Sequence, residues 1–182
     1  MSPRIFTVPN QLTFLRLGFL PFFIIFIYYN KYPWALGILF AAAASDALDG
    51  VLARLLNQKS TLGAYLDPIA DKLLLSSSFL ILAVKGKLEW WLAILVLGRD
   101  VLILATAAAI LVVAGYRPLP PSLYGKATTA AQILLIFIVV AEAATGSRVL
   151  DLAHSVFIYL VAGFTIFSGL HYSVTVARRL SS

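Results

Sequence analysis

Residues Trp34 to Val84 read WALGILFAAAASDALDGVLARLLNQKSTLGAYLDPIADKLLLSSSFLILAV. Two apolar runs, Trp34–Ala44 and Leu73–Val84, flank a polar centre with carboxylates at Asp46, Asp49, Asp67 and Asp71. A bilayer core about 30 Å thick takes roughly 20 helical residues per crossing, so each run together with its half of the polar centre is long enough for one crossing. The carboxylates are spaced by three in the first segment and by four in the second, which puts each pair on one face of a helix. Counted inward at 1.5 Å per residue, Asp46 and Asp49 lie about 18 and 22 Å from Trp34, and Asp71 and Asp67 about 20 and 26 Å from Val84. All four therefore share one layer.

The same ruler applied outward gives six apolar segments, about Gln11–Tyr29, Trp34–Leu55, Asp67–Val84, Leu88–Ala114, Leu123–Ala144 and Leu152–Ala177. The expected fold is all-α, a six-transmembrane-helix integral membrane bundle forming a single domain over residues 1–182. Composition agrees: of 182 residues, 61% are hydrophobic and 12% charged, and the mean hydropathy is +0.94. A soluble domain carries about twice that charged fraction. With no cysteine, disulfide frameworks, thiolate metal sites and cysteine nucleophiles are excluded. The net charge of +6 fits basic residues flanking membrane spans, and no nucleic-acid partner is expected. No cleavable leader is expected either, since no small-residue cleavage site soon follows the first apolar run.

With a cytoplasmic N-terminus, one set of flanks holds Arg4, Arg54, Lys59, Arg117, Lys126, Arg178 and Arg179, and the other Lys31, Lys85, Lys87 and Arg148. The positive-inside rule then puts both termini and the aspartate layer on the cytoplasmic side. Tyr28, Tyr29, Tyr32, Trp34, Trp90 and Trp91 mark the outer interface. Arg16, Arg99 and Lys126 fall near the aspartate layer, so five segments contribute charge at one level. Intramembrane charges are costly and face a bundle interior or a hydrated cavity. Four crowded carboxylates need compensating cations, and an all-oxygen ligand set selects a hard divalent ion such as Mg²⁺ or Mn²⁺. Each piece has a plainer reading on its own. Asp67 before Pro68 fits a helix N-cap, Gly50, Ala53 and Ala41–Ala44 fit small-residue packing, and Arg99 fits a local ion pair.

The full pattern, Asp46-x2-Asp49-Gly50-x2-Ala53-Arg54-x8-Gly63-x3-Asp67-x3-Asp71, resembles the signature of the CDP-alcohol phosphatidyltransferases at every fixed position. The resemblance extends to PNQLTFLR at Pro9–Arg16, GRD at Gly98–Asp100 and GKATTAAQ at Gly125–Gln132. It implies attack of an acceptor hydroxyl on the lipid-bearing phosphorus of CDP-diacylglycerol, with release of CMP. It also implies that Asp46, Asp49, Asp67 and Asp71 hold two metal ions and that Asp71 is the general base. By the same resemblance Asn10, Thr13, Asp49, Gly50, Ala53, Arg54 and Gly63 bind the CDP-lipid, and a homodimer is expected.

Arg99 and Lys126 are the buried cations expected to hold an anionic acceptor. The leading acceptor is glycerol 3-phosphate, as in a phosphatidylglycerophosphate synthase. Members using it usually carry Glu and a second Arg where this chain has Asp100 and Ala107. The Arg-Asp pair and NQKSTLGAYLDPIADK instead resemble eukaryotic-type cardiolipin synthases, which makes phosphatidylglycerol the alternative acceptor. A choline or ethanolamine acceptor would need an aromatic or acidic cage. A divalent-cation transporter is the competing class, but a permeation path would need polar residues through the charge-free runs Trp34–Ala44 and Leu73–Val84. Glu142, His154 and His171 are expected in interfacial, surface or packing roles.

Overall fold

A computed structural model describes the backbone of residues 8–56, 61–114 and 123–180, and the side chains of residues 15, 17–45, 72–106 and 123–174. The described backbone consists of six α-helices: α1 (Val8–Tyr28), α2 (Tyr32–Leu56), α3 (Thr61–Val84), α4 (Trp90–Ala114), α5 (Leu123–Thr145) and α6 (Arg148–Leu180). The shortest has 21 residues, about 31 Å of rise. Among the described residues, α5 and the Arg148–Val174 part of α6 are long and apolar enough to cross a membrane. The described parts of α1, α2 and α3 contribute shorter apolar segments, Leu17–Tyr28, Tyr32–Ser45 and Lys72–Val84.

Helices α1, α2, α3 and α6 start earlier than their apolar runs, α5 starts at the same residue and α4 two residues later. Helix α3 begins at Thr61, six residues before Asp67, so Asp67 and Pro68 lie inside it and the N-cap reading of Asp67 does not hold. Apolar periodicity missed this turn because the helix continues through polar sequence. Pro21 lies inside α1 and removes one backbone donor there.

Three described connections are tight. After α1, Asn30 takes a left-handed φ of 57°, its N–H donates to the Ile27 carbonyl, and the Lys31 N–H donates to that of Phe26. After α3, Gly86 at φ 64° does the same through the Ala83 carbonyl while Lys87 donates to that of Leu82. Both are Schellman caps, which satisfy the last carbonyls and reverse the chain within a few residues. Lys85 ties two of these turns together: its Nζ donates to the Tyr28 carbonyl at 3.0 Å and lies 5.6 Å from the Tyr28 ring centre. Lys87 sits likewise over Tyr32 at 5.5 Å.

Helix α5 packs most extensively on α6 and α1 on α2; α1 also meets α3, α2 meets α5, and α4 meets α6. Below the capped turns the interior is apolar and closed. Phe23, Ile27, Leu39, Phe79, Leu82, Leu92, Val139, Val140 and Val161 are all buried, from five helices plus α6, at three- and four-residue spacings. Toward the other end the same faces turn polar: Ser45, Ser78, Asp100, Thr128, Gln132, Thr165 and Ser168 are buried. The outside is the reverse, with Phe22, Phe40, Ile94, Val101, Tyr159 and Leu170 all more than half exposed. Exposed apolar side chains in such number mark an interaction with lipid or protein. Polar groups inside and apolar groups outside is the arrangement a bilayer favours.

Candidate active site

The four aspartates are carried on continuous helix, Asp46 and Asp49 near the C-terminal end of α2 and Asp67 and Asp71 in the first half of α3. Helical backbone through both pairs preserves the shared face that their spacing demands. Their side chains lie outside the described residues, as do those of Asn10, Thr13, Arg16, Gly50, Ala53, Arg54 and Gly63. Among the described residues no three metal-ligating side chains meet.

One residue beyond Asp71, the structure shows a polar junction. Lys72 Nζ lies 3.0 Å from Asp100 Oδ1, joining α3 to α4. Arg99 Nη1 donates to the same oxygen at 2.8 Å, and Arg99 Nη2 donates to Ser168 Oγ on α6 at 2.9 Å. The stem of Arg99 runs past α6 at Gly169, where a Cβ would meet Arg99 Cγ at 3.8 Å. Lys72, Arg99 and Asp100 together carry one net positive charge. The side chains of Arg99 and Asp100 are each 10% exposed, so little solvent screening weakens the junction. Its physical role is plain: one carboxylate compensates two cations and holds the Asp71 turn of α3 against α4 and α6.

Arg99 is therefore at the level expected, and the ion-pair reading of it holds too. Both ends of its guanidinium fork are engaged within the protein, and Nε is buried without a partner among the described residues. Lys126 differs from expectation: it is exposed, on the first turn of α5, because that turn projects beyond the packed seam that begins at Thr128.

Below the junction α5 and α6 carry a polar seam. The Thr128 hydroxyl lies 2.7 Å from the Tyr124 carbonyl and 3.2 Å from that of Phe164, bridging the helices. Among the described residues Gln132 Nε2 and Thr165 Oγ1 are buried without partners. Lys72, Ser168 and Thr165 were not singled out by sequence reasoning, and Gln132 was noted only as the end of GKATTAAQ. Their signal was present as Ser or Thr at three-residue spacing on α6, and Thr and Gln at four-residue spacing on α5, within otherwise apolar runs.

At the opposite end, His154 Nδ1 lies 2.6 Å from Glu142 Oε2, linking α5 and α6 near the Gly146 turn. Glu142 is thus a paired carboxylate rather than a simple interfacial one. His171 packs its ring against Tyr124 with centroids 5.0 Å apart, a packing role as expected.

Comparison with known proteins adds what the side-chain geometry leaves open. A model of the CDP-alcohol phosphatidyltransferases matches residues 6–167. The chain is 35% identical over 174 residues to the CDP-diacylglycerol--glycerol-3-phosphate 3-phosphatidyltransferase of Pseudomonas fluorescens, covering 91% of this chain and 87% of that one. It is 37% identical over 134 residues to the cardiolipin synthase (CMP-forming) of Streptomyces coelicolor, covering 70% of this chain and 62% of the other. Against the human cardiolipin synthase (CMP-forming) the figures are 31% over 182 residues, 89% and 58%. A Mycobacterium tuberculosis relative, 39% identical over 127 residues, is spanned for 60% of its length. The chain thus covers less than two thirds of several of these relatives. With a family match running from the first helix into the sixth, over the α2–α3 aspartates and the α4 junction, the chain belongs to the CDP-alcohol phosphatidyltransferase family.

Proposed function

We propose that this protein is an integral membrane enzyme of phospholipid synthesis that transfers a phosphatidyl group from CDP-diacylglycerol to an anionic glycerol-type alcohol. The observation that carries the reading is the juxtaposition of the α2–α3 aspartate motif with the Lys72–Asp100–Arg99 junction, within the family match. The acceptor hydroxyl oxygen forms a bond to the phosphorus that bears diacylglycerol. The bond from that phosphorus to the CMP oxygen breaks, CMP leaves, and Asp71 accepts the hydroxyl proton.

The donor set fits a divalent cation site: four carboxylates, two on each of two continuous helices, supply only hard oxygen ligands. Asp46, Asp49, Asp67 and Asp71 would hold two ions, Mg²⁺ or Mn²⁺, whose chemistry is neutralisation of the diphosphate and of the departing CMP phosphate. Asn10, Thr13, Asp49, Gly50, Ala53, Arg54 and Gly63 are assigned to the CDP-lipid, and Arg99 and Lys126 to the acceptor's anionic group. All six helices are read as crossings, with both termini and the active site on the cytoplasmic side and two chains per assembly. A site at bilayer depth lets the acyl chains of the donor stay in lipid.

Glycerol 3-phosphate is the first acceptor reading, supported by the Pseudomonas relative's activity. One geometric observation favours phosphatidylglycerol as the second. Asp100 neutralises part of the charge that would face the acceptor, leaving one net positive charge at the junction, which suits a phosphodiester monoanion better than a phosphomonoester dianion. The Streptomyces and human relatives, named cardiolipin synthases, support that alternative.

The test is CMP release by purified protein with CDP-diacylglycerol and Mg²⁺, offering each acceptor separately. Release is expected with one of them and is expected to stop with EDTA. Asp71→Asn is expected to lower turnover by about 10²-fold or more, the usual contribution of a general base, with CDP-diacylglycerol binding retained. Metal-independent release, or full turnover in Asp71→Asn, would overturn the corresponding assignment. A saturable divalent-cation flux into liposomes, lost in Asp46→Asn, would favour the transporter class instead.

A further inference from the structure

Gln132, Thr165 and Arg99 each present a buried polar atom without a partner among the described residues: Nε2, Oγ1 and Nε respectively. Gln132 and Thr165 are 1% exposed, and the Arg99 side chain 10%. Buried donors of this kind are destabilising unless a partner is supplied, and native interiors hold few of them. Here one occurs in the α4 junction and two in the α5–α6 seam beside it. Thr165 is three residues from Ser168, which binds Arg99 Nη2, and Gln132 is four from Thr128, which reaches the Phe164 carbonyl beside Thr165. Arg99 Nε thus lies in the junction that carries the Asp71 turn, and the other two orphaned atoms lie on α5 and α6 in the polar seam next to it.

The chemistry of the three atoms is specific. Gln132 Nε2 and Arg99 Nε donate, while the Thr165 hydroxyl donates or accepts. Two of the three belong to neutral side chains, and the charged fork of Arg99 is already engaged, so the set suits an uncharged oxygen that both accepts and donates. That is an alcohol. We infer that Gln132, Thr165 and the Nε edge of Arg99 recognise the hydroxyl of the glycerol-type acceptor that does not react, orienting its neighbouring primary hydroxyl for attack. This rests on the transferase reading above and adds to it a set of acceptor-binding residues and the chemical feature they read. A site that hydrogen-bonds a hydroxyl rejects the analogue lacking it, because the buried partners are then left unpaired.

The experiment compares the acceptor that the wild-type protein uses with its analogue lacking the secondary hydroxyl: 3-hydroxypropyl phosphate in place of glycerol 3-phosphate, or phosphatidyl-1,3-propanediol in place of phosphatidylglycerol. Wild type is expected to favour the glycerol acceptor by about tenfold or more in kcat/KM. Thr165→Val and Gln132→Met, both close in shape to the native side chain, are expected to bring that ratio toward one. They should do so by losing turnover on the glycerol acceptor alone, with KM for CDP-diacylglycerol unchanged, and Thr165→Ser is expected to keep the wild-type ratio. If one of the two variants fails to fold, the other reads the same ratio. A wild-type protein indifferent to the hydroxyl, or variants that lose activity on both acceptors equally, would overturn the inference. Wild type that releases no CMP with any acceptor would overturn the transferase reading, and this inference with it.

Discussion

Asp100 is the residue on which most of the described polar chemistry depends, since a single oxygen, Oδ1, serves both Lys72 and Arg99. Removing a carboxylate that compensates two poorly hydrated cations leaves them facing each other, and breaking such a pair typically costs about 3–5 kcal/mol when fully buried. Lys72 retains 33% exposure, so a smaller loss, about 2 kcal/mol, is expected for Asp100→Asn, read as a lowered thermal midpoint in detergent. Asp100→Leu is expected to lose at least as much, because the cations then lose the amide's hydrogen-bonding capacity as well. A midpoint unchanged in both variants would show that water replaces the carboxylate at no cost. The pairing of Arg99 with a neighbouring acid was legible from the adjacent Arg and Asp. That Lys72 joins them was not, because it requires α3 and α4 to be placed side by side.

Among the helices, order and approximate length followed from apolar run length, whereas the start of α3, six residues before Asp67, did not. Helices α2 and α3 continue through the polar aspartate segments because α-helical hydrogen bonding is indifferent to side-chain polarity once the helix is nucleated and packed. The turns after α1, α3 and α5 obey local rules more strictly. Asn30, Gly86 and Gly146 all adopt φ near +60°, a region costing about 1–2 kcal/mol for an ordinary L-residue. Gly86→Ala is therefore expected to lower stability by about 1 kcal/mol, while Asn30→Gly is expected to be neutral or slightly stabilising. Thermal unfolding followed in detergent distinguishes these opposite signs; equal effects would count against the cap geometry.

Among the described residues of the whole molecule, large apolar side chains stand on both the inside and the outside, while buried serine, threonine, glutamine and aspartate gather at one end of the interior. At the capped-turn end its interior is packed with large apolar side chains, which leaves no polar route through the described part of the bundle and weighs against ion permeation. The chain has no cysteine, so single introduced cysteines report topology cleanly. Lys87→Cys, at the turn after α3, is expected to react with a membrane-impermeant maleimide in intact cells. Ser182→Cys is expected to react only after the membrane is opened. Labelling of both from one side would refute the six-crossing arrangement.

The sequence alone determined the all-helical class, the four-aspartate pattern and the family it signifies, because these rest on composition, run length and spacing within single helices. Tertiary structure decided what no spacing within one helix can state. It showed that Asp100 serves two cations from different helices, that the fork of Arg99 is spent partly on Ser168, that Lys126 faces outward, and that Gln132 and Thr165 are each buried. Each depends on the rotation and register of one helix against another. Those are set by packing the few large side chains of the apolar end, at positions far from the chemistry they align.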